Sequence, residues 1–169
     1  GQLRVRESGM TAMRLLLVGD LVLDEPNADF FFDKVRVLLR RADMAVGHLE
    51  TPHTERGRES FGDVPAPASP PENVAAVGRA GFGMVSLAGN HMHDRGPEGI
   101  EDTIQLLDEA GVKSAGAGPN IAAARRAATA VAGGLRVGLV SYNCVGPREN
   151  WAGPNHAGCA YIKVISHYE

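Results

Sequence analysis

Apolar residues fall in short, nearly unbroken runs that alternate with stretches of helical spacing. Met13 to Val18 is the first run, and it leads directly into Gly19-Asp20. Short, almost wholly apolar and closed by a turn pair, it predicts a buried strand. Phe31, Val35, Leu38 and Leu39 share one helical face and predict a helix over 30–41. Met44 to Gly47 predicts the second strand. Pro71 to Ala80 predicts a second helix, opened by Pro70-Pro71 and closed at Gly81. Met84 to Ala88 is the third strand. Pro97 to Ala110 is the third helix, with Glu98, Glu101 and Asp102 near its positive end and Gly111 after it. Val112 to Ala115 predicts a short fourth strand and Ile121 to Arg126 a short helix. Ala127 to Val131 and Leu135 to Ser141, joined by Gly133-Gly134, predict a β-hairpin, and Tyr161 to Ile165 one more strand. Strands alternating with helices imply an α/β fold with a mostly parallel sheet flanked by helices.

Between the second strand and second helix, Thr51 to Pro71 is rich in Pro, Gly and charge. Loops of that length in compact domains act as lids or binding loops. Three junctions carry the chemistry. Asp20 follows the first strand, Glu50 follows the second, and Gly89-Asn90-His91-Met92-His93-Asp94 lies where the third strand hands over to a helix. Ligands of open α/β sheets bind beyond the carboxyl ends of the strands, so these groups are expected to meet. Singly, each has a structural alternative: Asp20 and Asp24 as turn acids, Asn90 bonding loop backbone, His91 packed beneath it. Together, carboxylate, amide oxygen and imidazole suit Mn, Fe or Zn better than an all-oxygen Mg or Ca site. Two such ions about 3.5–4 Å apart would clamp a displacement at phosphorus or a carbonyl and generate hydroxide at neutral pH. Asp94, three residues after His91, either orients that imidazole or caps the following helix.

Composition narrows the classes without naming one. The 169 residues suffice for one domain with a real core, and 44% apolar with 22% charged residues is ordinary for a globular protein. A net charge of −3, with no basic stretch interleaved with aromatics, argues against nucleic acid. Arg outnumbers Lys 14 to 3, which reads as coding bias rather than chemistry. Cys144 and Cys159 are too few and too far apart for a disulfide framework or zinc knuckle, and read as structural or incidental thiols. No run reaches the ~18 apolar residues of a membrane span, so the expected location is cytoplasmic. Residues 1–12 read as a leader or tag remnant, and 13–169 as the folded part.

Several of these motifs occur together in one family. Gly19-Asp20, Gly47-His48-Leu49-Glu50-Thr51-Pro52, Ser86 through Gly96, Gly99-Ile100 with Thr103, Ala110-Gly111-Val112 and Gly116-Ala117-Gly118 resemble the poly-γ-glutamate capsule biosynthesis (CapA-like) proteins. These belong to the calcineurin-like metallophosphoesterase superfamily, and the resemblance covers roughly residues 13–143. It implies a metallophosphoesterase-like α/β sandwich with two divalent metal ions, of which this chain is the N-terminal half. Carried over by position, Asp20, Glu50 and Asn90 would be metal ligands, and His91 the catalytic histidine that contacts substrate or protonates a leaving group, with Asp94 behind it.

Two departures stand out. His48 replaces the family's usual Asn before Leu-Glu, and would add a ligand or proton donor or pack beneath Glu50. His93 stands where an apolar residue is usual. The family's second half supplies further histidines in His-Trp-Gly-like and Gly-His-His-Pro-His-like segments, and neither is found in these residues, where His156 and His167 are the later histidines. The expectation is an N-terminal part completed by a missing C-terminal half, holding metal weakly or not at all alone. Three functions are open: a metal-dependent hydrolase of phosphoester or amide-like bonds; a peptide epimerase or γ-glutamyl polymer enzyme, with peptide or polyglutamate as substrate; and a non-catalytic binding domain of the same fold.

Overall fold

A computed structural model of the chain describes residues 12–59 and 67–164. The suggested leader therefore lies almost wholly outside the described residues, as do His167 and the end of the proposed last strand. Four strands form the main sheet in the order β1-β2-β3-β4, all parallel: β1 Leu15–Leu21, β2 Met44–Leu49, β3 Phe82–Ser86 and β4 Lys113–Ala115. The mixed α/β architecture expected from the alternation is present, and it is consistent with a metallophosphoesterase-like fold.

Helices α1 (Arg36–Arg40), α2 (Val74–Ala80) and α3 (Gly96–Glu109) accompany this sheet. Leu21, Leu49, Phe82, Val85 and Leu87 pack with Leu39, Val77, Ile100 and Leu107 in the larger core cluster. The helix expected over 30–41 is broken. A 3-10 turn, Ala28–Phe32, is separated from the short α1 by Asp33 to Val35. Asp29 holds the break together, because its carboxylate pairs with both Arg36 (2.7 Å) and Arg79 (2.6 Å). The other expected helices are in place, with α3 starting and ending within a residue of expectation.

The opposite face of the sheet has a second, smaller core of Met44, Val46, Met84 and Ala115. It is covered by a hairpin of β6 (Ala128–Ala132) and β7 (Leu135–Leu139), whose Ala128 and Ala132 complete the cluster. Gly133 and Gly134 both have positive φ, 54° and 78°, the backbone a tight hairpin demands, so the glycine pair did identify the turn. The expected strand 161–165 is not formed among its described residues. Instead β5 (Ala117–Gly118) pairs antiparallel with β8 (Gly158–Cys159), and Tyr161 makes an isolated bridge to Asn143. Helix α4, Ile121–Ala124, is capped by Asn120, whose Oδ1 accepts from Ala123 N at 2.9 Å. Among the described residues no helix is long and apolar enough to cross a membrane.

The loop after β2 is not free at its base. Ser69 N donates to Pro52 O (2.9 Å), and Thr51 Oγ1 meets Ser69 Oγ (2.9 Å). His53 is fully buried, with Nδ1 2.8 Å from Pro70 O and its backbone N–H donating to Thr103 Oγ1 of α3. Arg56 reaches Asp102 and Glu101 on α3. The loop's two ends are thus stitched to each other and to the helix.

His53 gives the fold a pH dependence. Burial holds its imidazole below the ordinary value of 6.5, with the Pro70 hydrogen bond and Glu72 acting in the opposite sense. The unfolded chain therefore takes up a proton that the folded chain resists, and stability is lost as pH falls below 6.5. His93, held down by burial and by His156, acts with the same sign. Asp29 and Asp102 are lowered from 3.8 and act only in stronger acid. Melting measured at about pH 7.5 and about pH 5.5 should show a lower Tm in acid, and His53→Gln should shrink that difference. An equal difference in the variant would assign the acid sensitivity elsewhere.

Candidate metal centre

Sheet register builds the site. Leu17 of β1 lies opposite Val46 of β2, yet the next pair is Asp20 with His48. Three steps on β1 match two on β2, so β1 carries one extra residue at Val18-Gly19. Side chains alternate faces along a strand, and that extra residue turns Asp20 onto the face of His48. The expected turn at Gly19-Asp20 is therefore a bulge inside a strand that runs on to Leu21. His48 in turn pairs with Ser86, and Ser86 with Ala115. Asp20, His48 and Ser86 form a row across the carboxyl ends of three strands. Glu50, two residues beyond His48, rises from the same face.

The row converges chemically. One ligand atom each from Asp20, His48 and Glu50 lies within 4.8 Å of the other two. His48 Nδ1 is 3.1 Å from the Ser86 carbonyl oxygen and 2.7 Å from Ser86 Oγ. A carbonyl only accepts, so Nδ1 carries the proton and Nε2 presents a lone pair. That Nε2 faces Glu50 Oε2 at 3.4 Å. The donor set, one imidazole and two carboxylates with the imidazole oriented from behind, is what a divalent transition metal requires.

His91 flanks Glu50 from the other side. Its Nε2 lies 3.9 Å from Glu50 Oε1, and its Nδ1 lies 2.8 Å from Asp94 Oδ2. Asp94 is almost wholly buried, and the position flanking the first turn of α3 belongs to Arg95. Asp94 thus meets the imidazole three residues before it, which fixes the ring. Asn90 follows Gly89, and its carbonyl accepts a hydrogen bond from Asn150 Nδ2. Gly89 lies close against His48, since a Cβ there would stand 2.7 Å from Nε2. Asp24 is exposed and outside the converging group. His93 is buried, its ring 5.3 Å from that of His156.

The same segments are matched by known proteins. The profile of the bacterial capsule synthesis protein PGA_cap family matches residues 14–163. The chain belongs to that family. The capsule biosynthesis protein CapA of Bacillus anthracis is 27% identical over 141 residues, covering 77% of this chain and 34% of that protein. A probable polyglutamine synthesis accessory protein of Mycobacterium tuberculosis is 35% identical over 113 residues, 65% of this chain and 30% of that protein. An uncharacterized protein, y4sH, of Sinorhizobium fredii is 31% identical over 141 residues, covering 29% of its length. The chain spans about a third of the length of these relatives.

In this PGA_cap chain, residues that carried no signal in the sequence support the site. Asn150 and Cys159 come from the weakly patterned stretch after β7. Cys159 Sγ donates to Leu87 O (3.4 Å) and Gly89 O (3.3 Å), and Ala160 N donates to Gly116 O (2.8 Å). These contacts span 70 and 72 residues of chain, so local pattern could not reveal them. The structural reading of Cys159 is the one the geometry shows. Burial, assisted by Asp94, pushes its thiol up to about 12, whereas Cys144 is exposed. Ellman's reagent at about pH 8 should titrate one thiol in the native protein and two after denaturation. Rapid reaction of both in the native state would mean that the 158–160 segment is not docked beneath Gly89.

Proposed function

We propose that this chain is the N-terminal part of a metal-dependent enzyme of the CapA type, a hydrolase acting on a phosphoester or amide-like bond. The observation that carries the reading is the convergence of Asp20, His48 and Glu50, with a proton-bearing Nδ1 behind His48. These three residues would hold a divalent Mn, Fe or Zn ion, with Asn90 as the further ligand that the family resemblance implies. Such an ion supplies Lewis-acid polarisation of the substrate oxygen and an acidified water. His91 sits at the rim of the group, fixed by Asp94, and serves as the proton donor to the leaving group. Glu50, between the two imidazoles, is suited to hold the ion.

Residues 13–169 would then be one part of a larger domain. Relatives about three times as long support this, as does the uncovered apolar surface beside the site. Leu15, Leu17 and Val18 of edge strand β1, with Val35 and Leu38 near α1, are exposed. A second ion would draw its remaining ligands from that further sequence. The printed names of the relatives, capsule biosynthesis and polyglutamine synthesis accessory protein, favour a second reading. In it the same centre serves the making or modification of a peptide-like polymer rather than its hydrolysis.

Calorimetric titration with Mn and Zn tests the centre directly. Weak binding of one ion per chain is expected there, and Glu50→Gln or Asp20→Asn should weaken it by about tenfold or more. Ser86→Ala, which removes one of the two partners of His48 Nδ1, should give a smaller loss in the same direction. His91→Gln should leave metal affinity nearly intact while, in the full-length protein, abolishing turnover of an aryl phosphate. Stoichiometric binding that survives Asp20→Asn and Glu50→Gln together would remove the basis of this reading.

A further inference from the structure

His93 is 8% exposed, and neither of its ring nitrogens meets a hydrogen-bond partner among the described residues. The imidazoles of His48, His53 and His91 each have at least one, at Ser86, Pro70 and Asp94. Buried polar groups are normally met by protein, by water or by an ion.

What faces His93 is a second imidazole. The ring of His156 lies 5.3 Å from it, tilted by 52°. His156 Nε2 is 3.2 Å from the Glu149 carbonyl oxygen, so Nε2 carries the proton and Nδ1 presents a lone pair. The turn beneath this ring is fixed. Gly153 N donates to His156 O (3.0 Å), and Ile121 N donates to Gly153 O (2.8 Å). Two imidazoles that share one tetrahedral ion, through metal–nitrogen bonds of about 2.0–2.1 Å, have ring centres roughly 5 Å apart. The observed separation meets that requirement.

The surroundings suit a cation. Burial, and then His156, hold His93 below its ordinary value of 6.5, so its ring is neutral near pH 7, the form that ligates. The carboxylates of Asp94 and Glu98 act in the opposite sense and favour positive charge at this point. His156 also lines an open groove of about 910 Å³ with Pro97, Glu101 and Asn155, which gives an ion a route from solvent and room for water ligands.

We propose that His93 and His156 form a second cation site, for zinc or a similar imidazole-seeking transition ion, with water completing its coordination. His93 lies two residues after His91, and the segment carrying His156 already meets this loop through Asn150 and Cys159. An ion between the two rings cross-links loop and segment and holds His91 in place. The site shares no ligand with Asp20, His48 and Glu50, and it does not need the function proposed above.

Manganese reads the Asp20 centre and zinc reads both, because imidazole suits zinc and carboxylate suits manganese. The Asp20→Asn, Glu50→Gln variant should therefore lose manganese yet take up one zinc per chain by calorimetry, and zinc should raise its Tm. Adding His156→Ala, at an exposed position, should weaken that zinc by about tenfold or more and remove the rise in Tm. His93→Leu should do the same. Zinc that survives loss of the two carboxylates and goes with His156→Ala belongs to this pair and does not bear on the Asp20 centre. A carboxylate variant that takes up no zinc would overturn this site and leave the Asp20 centre standing. Undiminished zinc binding after His93→Leu and His156→Ala together, in the folded protein, would overturn it as well.

Discussion

The site depends on lateral register in a parallel sheet. Adjacent strands stand about 4.8 Å apart, so residues opposite one another across β1, β2 and β3 are brought to ligand distance without a dedicated loop. Asp20, His48 and Ser86 occupy one such row, and the bulge at Val18-Gly19 puts Asp20 on the correct face of it. Paired residue for residue without the bulge, β1 would set Asp20 opposite Leu49 and turn its carboxylate toward the helices. The same register gives His48 its hydrogen-bond partner. Ser86 is the neighbour in the row, and its carbonyl sets which imidazole nitrogen is free to ligate.

Around this row the protein uses buried polar contacts over long sequence separations. His53 ties the loop after β2 to Pro70 and to α3, while Cys159 and Asn150 hold the Leu87–Asn90 segment from below. Loop positions alone would leave His91 and Glu50 free to drift by more than chemistry tolerates. Each anchor adds about 1 kcal/mol at most, but together they restrict the loop to one arrangement. Asp94 is the inner counterpart, buried beneath His91 and bonded to it.

Membership in the capsule synthesis family gives this arrangement a context. The matched region covers nearly all of this chain but only about a third of the relatives, so the geometry described here is the part of the family's architecture that carries the β1–β3 strand ends. The edge strand β1 leaves Leu17 70% exposed, on the same face as the candidate centre.

Much of the architecture was legible in the residues. Short apolar runs marked the strands, although the first of them, expected to be buried, is the largely exposed edge strand β1, and Pro97, Gly111 and Gly133-Gly134 marked a helix start, a helix end and a hairpin. Asp20, Glu50 and His91 were legible as candidates because strand ends are where α/β sheets place ligands. The break between 32 and 36 was not legible, since Asp29 draws Arg36 together with Arg79, which lies 50 residues further along the chain. Nor was the pairing of β5 with β8, two residues each, too short for any periodicity. Local pattern thus determined which elements form and which residues reach the sheet edge. Register, the bulge and the proton on His48 Nδ1 were decided by tertiary structure, because each depends on which residue lies opposite, a fact that exists only once the strands have paired.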